Sequence, residues 1–237
     1  MNDHETIRRA QIERGLIATR ERIVRACDAV HRDPREVTLV VVTKTFPASD
    51  IRLLVDLGVH DVAENRDQEA KAKVAELADL DIRWQYIGQL QRKKAASVVA
   101  WADLITSIDR PELAVACAHA AERAHRRQDV CIQVNLDPPD RAGRGGVSPD
   151  ALLDLVTAVL TFPSLRLRGL MAVAPYPGDP DEAFARLARY RAAVVAVAPD
   201  ATELSAGMSS DLEAAVAHGA TQVRIGGAIL GNRQGVQ

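Results

Sequence analysis

Lys44 closes the apolar run Val37-Thr38-Leu39-Val40-Val41-Val42-Thr43. A lysine at the mouth of a buried β-strand suits Schiff-base chemistry. Partial burial lowers an amine's pKa, so more of it is unprotonated and able to attack an aldehyde. Position alone fits an ordinary solvated lysine equally well. Far downstream lie Ser205-Ala206-Gly207-Met208-Ser209 and Arg224-Ile225-Gly226-Gly227. Serine hydroxyls and free backbone N–H groups ahead of a helix suit a phosphate, and paired glycines let backbone approach a ligand closely. Taken singly, Ser209 also reads as a helix N-cap, and Gly226-Gly227 as a plain strand-to-helix turn. Together, one aldehyde-bonding amine and two phosphate-type turns point to pyridoxal 5′-phosphate (PLP).

Two further residues bear on the chemistry. Arg224 supplies only donors and stays cationic. Beside a pyridine nitrogen it keeps that nitrogen unprotonated, which makes the ring a poor electron sink; the alternative is a salt bridge to a carboxylate. Asn65 is able to bond a ring hydroxyl or a water, or to cap a helix. His60, His119, His125 and His218 have no metal-ligand spacing, and no metal site is expected. Trp84 and Trp101 read as packing residues.

These residues need elements to hold them. Short β-branched runs at 37–43, 59–64, 83–87, 103–108, 129–136, 166–174, 202–206 and 222–226 read as strands. Amphipathic, alanine-rich patterns at 4–31, 48–57, 66–78, 90–100, 110–126, 149–160, 181–198 and 209–218 read as helices. Ser49-Asp50, Asp109-Arg110-Pro111, Ser148-Pro149 and Ser209-Ser210-Asp211 are candidate helix starts. Strands such as Leu39-Val40-Val41-Val42 read as buried on both faces, as a parallel sheet requires. Eight alternations in 237 residues predict one α/β domain, a (β/α)8 TIM barrel over 1–237, with 1–36 an N-terminal helical segment packed on it. An open doubly wound sheet is disfavoured, because no GxGxxG follows the first strand. In a barrel the predicted strand ends collect Lys44, Glu64-Asn65, Gly88, Ser107 to Asp109, Asn135, Met171, Ser205 to Gly207 and Arg224 to Gly226. They are mostly polar or small, whereas mid-strand positions are Val, Ile and Leu.

Composition bounds the partners. The chain is 47% hydrophobic, and 32 acidic residues nearly cancel 30 basic ones, giving a formal charge of -2. Nothing in that balance implies nucleic acid or an anionic membrane, and aromatics at 3% leave little for base stacking. Cys27, Cys117 and Cys131 form no CxxC pair and read as buried thiols in a reducing compartment. No signal peptide or run of about 20 apolar residues is visible, so the expected location is cytoplasmic. The turn-rich stretch 138–146 is the longest loop.

These segments together resemble the pyridoxal phosphate homeostasis protein family, whose members look like a free-standing alanine racemase N-terminal domain of PLP fold type III. The resemblance is carried by Val42-Thr43-Lys44-Thr45, Glu64-Asn65 with Gln68-Glu69, Tyr86 to Gln91, Ser107 to Arg110, Gln133-Val134-Asn135, Leu167 to Met171, Ser205 to Ser209 and Val223 to Gly226. It implies that Lys44 carries PLP and that Ser205, Gly207, Met208, Ser209, Gly226 and Gly227 surround the phosphate. It also implies that Arg224 faces the pyridine nitrogen and Asn65 lies near the ring. The implied role is intracellular PLP (vitamin B6) homeostasis without robust catalysis, and PLP-dependent apoenzymes are transient partners. The chain ends soon after its eighth strand, without a second, racemase-type domain, so a monomer is expected. A slow amino-acid racemase is the alternative; a cofactor-free Schiff-base aldolase and a regulatory partner protein rank below it.

The chain departs from the family pattern in four places. Gln85-Tyr86-Ile87-Gly88 stands for His-Phe-Ile-Gly, and Gln91-Arg92-Lys93-Lys94 for Gln-x-Asn-Lys. Arg66 follows Asn65 where tyrosine is usual, and Gly227 replaces a threonine. The last change removes a hydroxyl worth on the order of 1 kcal/mol to phosphate.

Overall fold

The computed structural model describes residues 3–138 and 145–231. Most of the turn-rich stretch 138–146 and the last six residues lie outside them. All eight expected strands form: β1 (Thr38–Val42), β2 (Asp61–Glu64), β3 (Arg83–Tyr86), β4 (Leu104–Ile108), β5 (Gln128–Gln133), β6 (Leu165–Met171), β7 (Glu203–Ser205) and β8 (Gln222–Ile225). They pair in chain order, all parallel, and β8 closes onto β1 through Thr38 to Val41 against Gln222 to Ile225. This is the predicted TIM barrel.

The helices are α1 (Asp3–Asp28), α2 (Ala48–Asp56), α3 (Asp67–Glu76), α4 (Ala95–Val99), α5 (Pro111–Arg123), α6 (Leu152–Leu160), α7 (Pro180–Val197), α8 (Leu212–Ala217) and α9 (Gly227–Leu230). Pro111 opens α5 at its first turn, where the missing N–H costs nothing. Other expected boundaries move. The helix expected over 90–100 is a 3₁₀ turn at Arg92–Lys94 running into the short α4. Ser49-Asp50 does not cap α2, which begins at Ala48; Asp50 is instead buried and paired with Arg8. The start expected at Ser209 falls at Asp211, and α9 was not anticipated at all.

Hydrophobic burial between sheet and helices builds two outer clusters. The larger spans β2 to β7 and their helices, including Trp84, Trp101, Ile105, Leu113 and Phe184. Trp101 stacks edge-on against Tyr86 at 6.0 Å, a packing role as expected. The second joins Ile12, Leu16 and Ile23 of α1 to Val41, Leu54, Val216, Val223 and Ile229. α1 therefore packs over the β8–β1 seam, beside α8 and α9. Cys27, Cys117 and Cys131 are buried, free thiols, and burial pushes all three up.

The lumen is less apolar than a TIM barrel's usually is. Leu104, Cys131 and Met171 form one small inner cluster. Below it, at the N-terminal ends of the strands, lies an ionic floor. Arg166 pairs with Asp129 at 2.5 Å, Arg168 with Glu203 at 2.8 Å, and Gln222 donates to Glu203 at 2.8 Å. Arg83 on β3 reaches Glu203 on β7 at 3.7 Å, spanning the barrel.

Candidate functional site

Four neighbouring strands, β7, β8, β1 and β2, deliver most of the candidate residues at their C-terminal ends, where barrel sites form. Val42 lies against Gly226: a Cβ added there would stand 3.2 Å from the Val42 carbonyl and 3.4 Å from its Cβ. The glycine thus keeps the β1 and β8 exits in close approach. Lys44 emerges two residues beyond β1, half-buried, in the turn that Phe46 N–H closes onto the Thr43 carbonyl at 3.1 Å.

That turn is held from outside. Thr45 has φ 71°, a left-handed conformation that costs a non-glycine residue about 1–3 kcal/mol. In the third place of a turn this conformation ordinarily falls to glycine or asparagine. The Thr45 N–H donates to Glu69 Oε1 at 2.6 Å. On the other side of Lys44, the Thr43 carbonyl accepts from Lys73 Nζ at 2.9 Å. The same ammonium donates to Glu69 Oε1 at 2.6 Å and to Glu64 Oε1 at 2.7 Å, where Thr43 Oγ1 also donates. Burial pushes the Glu64 carboxyl up, against the opposing pull of Lys73 and Thr43. Burial acts the same way on Glu69, but the bonds from Lys73 and the Thr45 N–H prevail and hold it below the usual carboxylate range. Sequence reasoning named Glu64 as a strand-end residue and Glu69 only as part of a matching segment, and passed over Lys73. The signal available was the i, i+4 spacing of Glu69 and Lys73 on one helix.

Arg224 is buried in the lumen. It donates to Ser205 Oγ at 2.8 Å and to the Ala172 carbonyl at 2.8 Å. Neither partner is a carboxylate, so these bonds are not the salt bridge weighed as its alternative. Burial lowers its pKa to about 10, with Asp211 opposing; at neutral pH it remains cationic. Ser205 is fully buried and is already the acceptor for Arg224.

The β7 turn is built around Gly207, at φ 93°, where a Cβ would meet Ala215 Cβ at 2.7 Å. The Met208 N–H is taken by Asp211 Oδ1 at 2.6 Å, and Asp211 is the N-cap of α8. Ser209 is therefore not that helix's cap. Ser209 and Ser210 are exposed, and within the described residues their N–H groups donate to no protein atom. Around the Cβ position of Gly227 nothing lies within 4 Å.

Asn65 is not a cap either, since Arg66 occupies that place before α3. Its Oδ1 is buried without a partner, and so is Ser107 Oγ at the end of β4. Orphaned buried acceptors of this kind fit a polar ligand at the barrel mouth. The residues present thus fit PLP: a half-buried amine, a pair of bare backbone turns on adjacent strands, a buried cation and an unsatisfied amide. Among the described residues no group of three His, Cys, Asp or Glu is placed to hold a metal, and no helix is long and apolar enough to cross a membrane.

The chain is similar to known proteins over nearly its whole length. The alanine racemase N-terminal domain profile matches residues 18–234. The pyridoxal phosphate homeostasis protein of Mycobacterium tuberculosis is 40% identical over 96% of this chain and 95% of its own. That of Escherichia coli is 36% identical over 94% and 97%. Among solved structures, PipY of Synechococcus elongatus with PLP bound superposes with a TM-score of 0.81 at 34% identity, over 93% of this chain and all of that one.

Proposed function

The chain belongs to the pyridoxal phosphate homeostasis protein family, built on the alanine racemase N-terminal domain, and from that premise we propose that it binds PLP as a Schiff base on Lys44. The role is to hold and release the cofactor in intracellular PLP homeostasis, without robust turnover. The observation that carries the reading is the convergence of the Lys44 turn and two bare backbone turns on adjacent strand ends. PLP supplies an aldehyde carbon, and an electron sink whose strength depends on protonation of its ring nitrogen.

Each residue has a part in this reading. Lys44 provides the amine. Ser209 and the backbone from Gly226 into α9 receive the phosphate, with Gly207 shaping the turn and Met208 joining it to the Asp211 cap. Ser205 orients Arg224. Arg224, cationic at neutral pH and able only to donate, opposes protonation of a nearby ring nitrogen. Asn65 offers an acceptor to the ring hydroxyl or a water. A weak sink favours carriage over carbanion chemistry, and PLP-dependent apoenzymes are the natural recipients.

Titration with PLP, followed by visible absorbance, tests this. The wild type should develop a saturable Schiff-base band, and Lys44→Ala should lose it while keeping its fold by circular dichroism. Retention of the band in Lys44→Ala would overturn the assignment. Turnover of a free amino acid that disappears with Lys44 would replace carriage with racemase-like catalysis.

A further inference from the structure

We propose that Glu69 positions Lys44, by clamping the peptide that follows it in a left-handed conformation its own residue type disfavours. The inference rests on the reading of Lys44 as the PLP amine. Lys44 sits between Thr43 and Thr45, and both neighbours are pinned by side chains of α3. Lys73 holds the Thr43 carbonyl at 2.9 Å, and Glu69 holds the Thr45 N–H at 2.6 Å. Lys73 Nζ ties Glu69 to Glu64, so the two pins form one connected unit.

A trio of charges with two members buried and Glu69 half-buried is a poor source of net stability, since desolvation offsets most of the Coulombic gain. What such a unit does well is fix geometry. Without the carboxylate, the Thr45 N–H loses its acceptor, and the bonds to the Thr43 carbonyl are left to hold φ 71° against relaxation towards negative values. That relaxation rotates the peptide joining Lys44 to Thr45 and re-aims the Lys44 side chain. Glu69 is thus a positioning residue. It acts through the backbone, at the Thr45 N–H.

The strain itself supplies the test, because glycine adopts this φ without support. Four proteins are compared: wild type, Glu69→Ala, Glu69→Gln and Glu69→Ala combined with Thr45→Gly. For each, PLP affinity is measured by absorbance, the borohydride-trapped site is mapped, and thermal stability is recorded. Glu69→Ala should weaken PLP binding about tenfold and spread the adduct to other lysines. Thr45→Gly should restore most of that affinity and return the adduct to Lys44. Glu69→Gln, whose amide oxygen still accepts the Thr45 N–H, should bind nearly as wild type while melting earlier through loss of the ion pair. Unchanged affinity in Glu69→Ala overturns the clamp. So does a loss that Thr45→Gly leaves uncorrected, since that marks a general packing defect. A wild type with no adduct on Lys44 overturns the PLP reading itself, and the clamp with it.

Discussion

At Lys44 and the turns beside it, backbone geometry carries as much of the argument as side-chain chemistry. At Gly226 an added Cβ would sit tightly against Val42, 3.2 Å from its carbonyl, whereas Gly227 faces open space. Gly227→Thr is therefore free of steric cost at its Cβ and adds a hydroxyl near the proposed phosphate. We predict roughly threefold to tenfold tighter PLP binding, the equivalent of about 1 kcal/mol, by absorbance titration. No gain would mean that the phosphate lies elsewhere. The candidate residues were legible in the sequence because their types are restrictive: a lysine after an apolar strand, paired glycines, an arginine in a buried strand. Their working partners were not. That Ser205 accepts from Arg224, and that Met208 gives its N–H to Asp211, depends on contacts across strands or on a local turn that periodicity does not encode.

Among the elements, the strands fix the site and the ionic floor fixes the strands. Glu203 on β7 gathers Arg168, Arg83 and Gln222 from three other strands. Glu203→Ala takes a carboxylate from two half-buried arginines, leaving Arg168 with Asp129 at 3.7 Å and Arg83 with Asp61 at 3.6 Å, and takes the acceptor from the Gln222 amide, at a cost of about 1–3 kcal/mol. Denaturant unfolding should show that loss; a change below about 1 kcal/mol would mean that water already screens the floor. All eight strands could be read from the sequence, since β-branched runs between turn residues are a local signal. Helix limits were read less well. α8 starts late because Gly207 and the Met208–Asp211 turn consume the residues before it. α9 is four residues long, too short to leave a periodic pattern.

For the whole molecule, α1 does more than cover a surface. Leu16 is buried in the cluster that joins α1 to Val216 of α8 and Ile229 of α9, the two helices that follow the phosphate-type turns. Arg8 adds a bond to the Leu230 carbonyl at 3.1 Å, and Arg22 one to Glu213 at 2.8 Å. Leu16→Ala should cost about 2–5 kcal/mol by cavity formation and weaken PLP binding along with stability. Loss of stability with PLP affinity intact would show that α8 and α9 keep their turns without α1. The sequence showed that a helical segment precedes the barrel; which seam it covers follows only from the packed structure. The central claim, a PLP carrier working through one amine, is tested most directly by reducing the PLP-loaded protein with borohydride and mapping the modified peptide by mass spectrometry. A single phosphopyridoxyl group on the peptide holding Lys44 is the predicted result. No modification, or modification scattered over exposed lysines such as Lys71 and Lys93, would contradict it.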